Sequence, residues 1–538
     1  SSFSSAFEIP ASESASGFDV ISEYFPQQGA SRQSGAVVFR APQGVTDPAV
    51  QAAMTQYLAE VDAIEGVTVL SPYDEGGQRQ IDPSGTIAFA TVNLDDSLDQ
   101  SELSEIGVDI GDLIPVMDGL TVEVGGRALA EFEPPESELI GLGFAIVVLI
   151  LAFGSVLAMG LPIGVALFGV GVGASVVALI SNLVTVPDFA TTLGAMIGIA
   201  VGIDYALFIV TRYRENLKRG QSFEDAVINA MDTAGRAVVF AGVTVVVSLL
   251  GMLLIGLEFI SGLGIGAATT VAVTMVASIT MLPALLGFAG HRIEVSRWRG
   301  IIAAGFVALT LFGLGLSIEP LLIGAPLAVV TLLAGFAAAP LRRELPQRAE
   351  KPTRQTLPFR WSRLVQTHPW RSLLGGTLVL LTLAAPMLSL RLGFSDEGNY
   401  SEDTTTRRAY DLLAEGFGPG FNGPLVAAVT LSGPSDLDAL DGLVEALGAD
   451  PGVQFASLAG LDDPSSPQAA LVQIVLTTSP QDAATTDAIE RLRQDVVPAA
   501  IAGTGMEVSV TGTTAASIDF TSYLADRLFV FIGVVLLL

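Results

Sequence analysis

From Leu139 to Pro187 the chain runs for 49 residues without an Asp, Glu, Lys or Arg. A helix rises about 1.5 Å per residue, so about 20 apolar residues cross the hydrocarbon core of a bilayer. The run holds two such spans, expected at 139–159 and 161–181 with a turn near Gly160-Leu161-Pro162. Further spans fit 190–210, broken by Asp204 alone, then 237–257 and 262–289. Residues 301–317 and 320–340 read as an apolar hairpin about Glu319-Pro320, and 372–390 fits one more span. The last apolar run, Leu528 to Leu538, is too short to cross, and the first residue, Ser1, is not Met. The chain is therefore expected to be a piece of a longer one.

Half of the residues are hydrophobic, 15% are charged, and the mean hydropathy is +0.58. The charge is unevenly placed. Residues 1–138 carry a net −20 and residues 391–526 a net −15, so the remaining residues carry +6 of the total −29. Two acidic soluble blocks thus flank an apolar, slightly basic region, the opposite of a nucleic-acid binder's balance. Arg212, Arg214, Lys218, Arg219 and Arg236 share one loop, Arg292, Arg297 and Arg299 the next, and eight Arg or Lys between 342 and 371 a third. By the positive-inside rule all three loops are cytoplasmic and both acidic blocks extracytoplasmic. Setting topology is the favoured reading of these bases over recognition of lipid headgroups. The parity closes only if 301–340 crosses twice or not at all.

The two acidic blocks repeat one another. The first has a strand-like run at Ala36–Phe39 and a helical face of Val50, Met54, Tyr57, Leu58 and Val61. Strand candidates follow at 67–71 and 86–94, then a mixed stretch at 97–116 and a last strand at Leu120–Val124. The second block has 425–431, a helix with Leu437, Leu440, Leu443, Val444 and Leu447, then 453–457, 470–477, a helix at 481–497, and 506–511. Both read β-α-β-β-α-β, the order of ferredoxin-like units. Glu131-Phe132 aligns with Asp519-Phe520, and at the same offset Ile146–Leu149 falls on Val534–Leu537. The last helix is therefore expected to open a second copy of the membrane half.

Several chemistries are excluded by what is missing. There is no Cys, so no disulfide or thiol chemistry. The two histidines, His291 and His368, stand far apart, which argues against a His metal site or triad. Neither lysine, Lys218 nor Lys351, follows Gly, so no Walker A loop exists and no ATP use by that route is expected. No cofactor, metal or enzymatic activity is expected. The residue that stands out is Asp204, followed by Tyr205. It lies about 12 Å along the helix from Arg212, where a carboxylate costs about 2.5–3.5 kcal/mol on insertion scales. A group so placed is expected to take up and release protons, with Tyr205 assisting, the alternative being a satisfied helix–helix hydrogen bond. Gly194, Gly198, Gly202 and Ala206 recur every fourth residue and are expected to seat a neighbouring helix. Asp204 borders this stripe, so its partner is expected on the helix packed there. Thr244 and Ser248 are weak candidates for a relay pocket, since hydroxyls commonly bond their own helix. Residues 222–234 read as a short connector helix capped by Ser222, with Asp225 at the box position.

Two stretches resemble a known family. Gly202-Ile-Asp-Tyr-Ala-Leu-Phe-Ile-Val-Thr-Arg-Tyr-Arg-Glu215 resembles the Asp-Tyr segment of MmpL-type transporters of the RND (resistance–nodulation–division) superfamily, most of all their actinobacterial members. Thr404-Thr-Thr-Arg-Arg-Ala-Tyr-Asp-Leu-Leu-Ala-Glu-Gly-Phe-Gly-Pro-Gly-Phe-Asn-Gly423 and the repeated acidic blocks are similar to that family too. The resemblance implies a twelve-span core, two extracytoplasmic porter domains, and proton-driven export of lipids or other hydrophobic molecules. It implies a relay role for Asp204 and Tyr205, with a second pair beyond Leu538. One Asp followed by Tyr, instead of two adjacent Asp, departs from the multidrug-efflux branch; the apolar insert at 301–340 departs from the usual cytoplasmic loop. The expected organisation is a polytopic α-helical membrane protein. It has a first porter domain at 1–138, about five spans at 139–290, a cytoplasmic linker at 291–371 with the hairpin 301–340, and a span at 372–390. A second porter domain at 391–526 and a partial span at 527–538 complete it. A drug or small-molecule efflux pump and a non-transporting membrane scaffold or sensor are the alternatives. The expected partners are a lipid or hydrophobic substrate, protons and the membrane, with no nucleic acid or ATP; a homo-oligomer stays open.

Overall fold

The computed structural model describes residues 12–26, 34–95, 98, 100–130, 137–187, 189–290, 293, 297–337, 357–433, 435–463 and 465–537. Glu131-Phe132, His291, Arg292 and the basic residues from Arg342 to Arg354 lie outside them. The chain divides into two compact units, one of Pro134–Arg391 with Arg527–Leu538, the other of Ile9–Glu133 with Leu392–Asp526.

The second unit holds two four-stranded antiparallel sheets. In the first, β1 (Ser34–Arg40), β2 (Val67–Leu70), β3 (Ile87–Leu94) and β4 (Thr121–Gly125) stand in the order β2-β3-β1-β4. Helix α1 (Glu13–Tyr24) precedes β1; α2 (Pro48–Asp62) joins β1 to β2, and α3 (Gln100–Asp112) joins β3 to β4. Asp47 caps α2 by accepting from the Ala49 amide, and Pro48 stands at N1, where no amide is needed. The expected face of α2, Val50, Met54, Tyr57, Leu58 and Val61, is buried in the core beneath the sheet. The Tyr57 hydroxyl donates to the Ile110 carbonyl at 3.0 Å, tying α2 to α3; burial raises its pKa.

The second sheet repeats the plan. Its strands β5 (Leu425–Thr430), β6 (Val453–Leu461), β7 (Ala469–Leu476) and β8 (Glu507–Thr511) stand in the order β6-β7-β5-β8. Each strand falls where hydrophobic alternation places it, except that β6 runs four residues further, through two register irregularities. The Arg491 guanidinium holds the Asp450 carboxyl below the usual carboxylate range, donating to it at 2.8 Å, and the Gly452 amide adds a bond at 2.7 Å.

Two helices without an expected place complete the sheets, and they do so crosswise. α1, from the first block, lies on β8 and β5 of the second sheet. The helix Thr405–Phe417, from the second block, lies on β4 and β1 of the first. The two seams match in detail. The Val510 amide donates to Glu13 at 2.9 Å, and the Val124 amide donates to Thr405 at 2.7 Å, in each case joining a helix's first residue to the next-to-last strand residue. A Cβ on Gly17 would stand 2.6 Å from Thr511 Cβ, while one on Gly125 would stand 2.7 Å from Ala409 Cβ. So a bare glycine faces a side chain in both seams, on the helix in one and on the strand in the other. Charge seals both. Arg408 grips Glu123 with two bonds of 2.7 and 2.9 Å, and Arg493 pairs with Asp519 while donating to Ser14 at 2.9 Å.

The other unit is helical. Its elements are α4 (Ser137–Phe153), α5 (Val156–Ile180), α6 (Ala190–Lys218), α7 (Phe223–Ala230), α8 (Arg236–Leu250), α9 (Glu258–Ala289), α10 (Trp298–Gly315) and α11 (Gly324–Ala337). α12 (Leu357–Thr367) and α13 (Pro369–Ala384) follow, and the terminal helix Thr513–Leu537 contributes its last residues. Among the described residues, seven helices are long and apolar enough to cross a membrane: Val156–Ile180, Ala190–Lys218, Phe223–Ile255, Glu258–Ala289, Trp298–Gly315, Pro369–Ser389 and Thr513–Leu537. The expected turn at Gly160–Pro162 is not there. The chain breaks at Gly154, whose φ of 61° suits a residue without a Cβ, and Ser155 caps α5 through the Ala158 amide. Pro162 sits inside α5. Ser222 does accept from the Asp225 amide, but the expected short connector is no separate element: α7 runs through one π turn at Met231–Gly235 into α8. The apolar hairpin is present. α10 packs along α4, where Phe144 and Phe312 meet edge to face at 4.9 Å, and α11 packs back on α10.

Two outcomes test this packing. Gly17→Val should cost about 1–3 kcal/mol by overpacking. Adding Thr511→Gly, which removes the Cβ it strikes, should return part of it, so that thermal unfolding shows clearly less than additive losses. Asp450→Asn should destabilise by about 1–2 kcal/mol at neutral pH, the half-exposed Arg491 moderating the loss. A carboxylate with a depressed native pKa stabilises above its unfolded value of about 3.9 and ceases to do so as pH falls through the native value. The gap between wild type and variant should therefore close in melts taken below about pH 4.

Candidate functional site

The stripe on α6 is a seam filled from two sides. α5, α6 and α9 pack mutually, and the approach is close enough to exclude side chains. A Cβ at Gly198 would stand 2.8 Å from Val170 and 2.9 Å from Thr270; one at Gly202 would stand 2.5 Å from Thr274 and 2.9 Å from Ala166. Gly194 faces the Thr270 hydroxyl in the same way, and Ala206 is fully buried. From the other side, Gly169 and Gly173 of α5 meet Thr274 and Thr270. Small residues on two helices thus make room for the hydroxyl residues of a third.

Those hydroxyls form a ladder that the sequence reading passed over. Thr270, Thr274 and Ser278 are all but completely buried. Each donates to the carbonyl four residues back, at Gly266, Thr270 and Thr274, over 3.0, 2.8 and 2.9 Å. The signal was in the spacing: the three recur every fourth residue, as the glycines do. Thr244 and Ser248 stand elsewhere. α8 packs chiefly on α9, the exposed Thr244 donates to Phe240 of its own helix at 2.9 Å, and Ser248 is half-buried.

Asp204 follows Gly202 by two residues, about 200° around the helix. It therefore faces away from the seam and is exposed on the outside of the bundle. The helix packed on the stripe is not its partner, contrary to the expectation from their adjacency. Among the described residues the Asp204 carboxylate takes part in no hydrogen bond or ion pair. Its face of α6 carries Ala200 and Phe208, one turn to either side and both exposed. Tyr205, one residue on, turns inward and is buried in a cluster with Ala206, Ile209, Val210 and Tyr213. The structure so separates the two expected relay residues, one outside the bundle and one within it.

The lower end of α6 is anchored. The Tyr213 hydroxyl donates to the Leu286 carbonyl at 3.5 Å. Arg214 donates to the Phe153 carbonyl at 3.0 Å and lies 5.1 Å over its ring. Phe153 is the last residue of α4, where helix carbonyls lack intrahelical donors and a cation is favoured. Arg214 follows Asp204 by about 15 Å along the axis. Among the described residues, no group of three or more His, Asp or Glu stands together as a metal site would require.

The model of the MMPL family matches residues 6–306. The membrane protein YdfJ of Bacillus subtilis is 32% identical over 98% of this chain and 66% of its own length. The mycolic acid-containing lipids exporter MmpL11 of Mycolicibacterium smegmatis is 28% identical over 72% of this chain and 37% of its own. The trehalose monomycolate exporter MmpL3 of Mycobacterium tuberculosis is 33% identical over 36% of this chain and 21% of its own. The chain thus spans less than two thirds to about a fifth of the length of these relatives. With seven helices of membrane-crossing length among the described residues and a family match over more than half of the chain, this is a multi-pass membrane protein that belongs to the MMPL family.

Proposed function

We propose that the protein exports lipids or other hydrophobic molecules across the plasma membrane, driven by protons that load and leave Asp204. The observation that carries this reading is the position of that carboxylate: mid-helix in a membrane-length segment, on an outer face, without a protein partner among the described residues. A charge left against lipid there costs about 2.5–3.5 kcal/mol. It is relieved by protonation or by another membrane segment closing over the face. A group moving between those conditions exchanges protons with each cycle, and each charge carried across the membrane field yields about 2.3 kcal/mol per 100 mV. The packed seam behind Asp204 supplies rigidity, so a change at the carboxylate moves α6 with α5 and α9 as a body. Tyr205, in the bundle, would sense that movement from inside.

In this reading the loops rich in Arg are cytoplasmic, and the two sheet-bearing blocks at 1–138 and 391–526 are extracytoplasmic porter domains. The hairpin within 291–371 then enters the membrane beside α4. The names of MmpL11 and MmpL3 as lipid exporters support a lipid substrate and a non-enzymatic role. Substrate would pass from the outer leaflet to the porter domains.

Two substitutions on neighbouring residues separate transport from folding. Asp204→Asn, on the helix surface, should leave the yield and melting temperature of the full-length protein near wild type. It should abolish proton-coupled export in proteoliposomes; normal export would assign the coupling elsewhere and favour a scaffold or sensor. Gly202→Val should do the reverse, losing folded protein through a clash worth about 1–3 kcal/mol. Lipid profiling of cells lacking the protein decides between a lipid and a drug substrate, an unchanged envelope lipid profile speaking against the former.

A further inference from the structure

We propose that α10 and α11 both cross the membrane in full, with their turn on the side of the sheet-bearing blocks, and that the pair is the first membrane half's own partner for α4. The contacts set the course of α10. A Cβ at Gly300 would stand 2.9 Å from the Val156 side chain, and one at Gly143 would stand 3.3 Å from the Phe312 ring and 3.4 Å from the Ala308 carbonyl. α10 therefore climbs antiparallel to α4, rising about 18 Å between Gly300 and Phe312. The turn at Ser317 comes about 8 Å further on, and Ser137, the first residue of α4, lies about 9 Å beyond Gly143 in the same direction. α11 returns along α10: Gly313 meets Leu321, and Gly324 meets the Phe306 carbonyl and the Thr310 hydroxyl. The 5 residues Glu319–Ile323 rise about 2 Å each and the 14 of α11 about 1.5 Å each, together about 31 Å, the thickness of a hydrocarbon core. Between Arg299 and Arg342 the one charged residue of the sequence is Glu319, exposed at the turn.

The internal repeat shows what the hairpin replaces. At the offset that lays Ile146–Leu149 on Val534–Leu537, Gly143 falls on Phe531 and Val147 on Val535. In the terminal helix those two residues seat on the last turns of α8: a Cβ at Gly251 would stand 3.3 Å from Val535 and 3.5 Å from Phe531. Arg527, one turn before Phe531, donates to the Ile255 carbonyl just beyond α8 at 2.5 Å. On α4 the same face carries the hairpin. Gly143 lies under Phe312, and Val147 packs in one cluster with Ile146, Ala304 and Ala308. A face that one copy spends on α8 is spent by the other on an insert of its own half, so the two halves are joined unevenly. This inference rests neither on Asp204 nor on which side of the membrane is cytoplasmic.

The test uses the full-length protein on a Cys-free background, in sealed membrane vesicles. A membrane-impermeant maleimide should label Ser317→Cys from the same side as Glu75→Cys, in the first sheet's block, and from the side opposite to Glu224→Cys, in α7. Labelling of Ser317→Cys together with Glu224→Cys, or from neither side, would overturn the double crossing. The same pattern with the two sides exchanged would uphold it and refute the cytoplasmic placement of the Arg-rich loops instead. For the pairing with α4, oxidation should join Val156→Cys to Gly300→Cys, since a Cβ at 300 stands 3.6 Å from that of Val156, within the range of a disulfide. Gly143→Phe, which gives α4 the residue of the other copy, should lower the melting temperature. Phe312→Ala should then cost clearly less than it does alone. Losses that simply add, or two thiols that stay free under oxidation, would show that α4 meets another helix there and would overturn the pairing.

Discussion

The close approach of α5, α6 and α9 is the constraint that the membrane unit depends on. It exists because side chains are missing at Gly169, Gly173, Gly194, Gly198 and Gly202, and because Thr270 and Thr274 fill the vacated space. In a bilayer no hydrophobic force draws helices together, so contact must come from fit. That fit also fixes rotation. With Gly202 turned to the seam, Asp204 has to face outward and Tyr205 inward, and no local change reverses the two without opening the bundle. The hydroxyl ladder on α9 is compatible with such burial because each group is satisfied by its own helix.

The sheet-bearing unit solves a different problem. A four-stranded sheet with two helices on one face leaves its other face bare. Here a helix from the other block covers it, and glycine-against-side-chain contacts and ion pairs set the register of each seam. Arg408, on the covering helix, grips Glu123 of β4 directly, whereas Arg493 and Asp519, which lie outside α1 and β8, both bond Ser14 of α1. Pairs of this kind add little net stability but penalise any arrangement that separates them.

How much of this was legible in the sequence follows from range. Strands β1 to β8 and the covering helices α2 and α3 follow from local alternation and capping, since Val50, Met54 and Val61 recur at helical spacing whatever lies beneath them. The membrane-length helices follow from composition. The break between α4 and α5 was misplaced because Pro162 is a strong local signal for a turn, whereas Gly154 and Ser155 offered a cheaper one. α1 and the Thr405–Phe417 helix escaped because the surfaces they cover lie hundreds of residues away. For the site, the stripe on α6 was readable as a packing surface, but the direction of Asp204 was not, because that depends on which helices the stripe seats. The ladder of Thr270, Thr274 and Ser278 was overlooked in favour of Thr244 and Ser248, whose hydroxyls look alike in sequence and differ only in what surrounds them.

The crosswise exchange has a consequence for biosynthesis. Ser14 and Asp519, joined by a hydrogen bond, lie 505 positions apart. At about 5–20 residues per second on the ribosome, α1 emerges long before the strands it must cover have been made. Its apolar side, with Ile21 and Phe25, then waits tens of seconds without its sheet. The first sheet, complete at Gly125, waits a little more than half as long for the helix that begins at Thr405. A nascent chain of this design leaves an apolar helix and a sheet face uncovered until its second block has been translated.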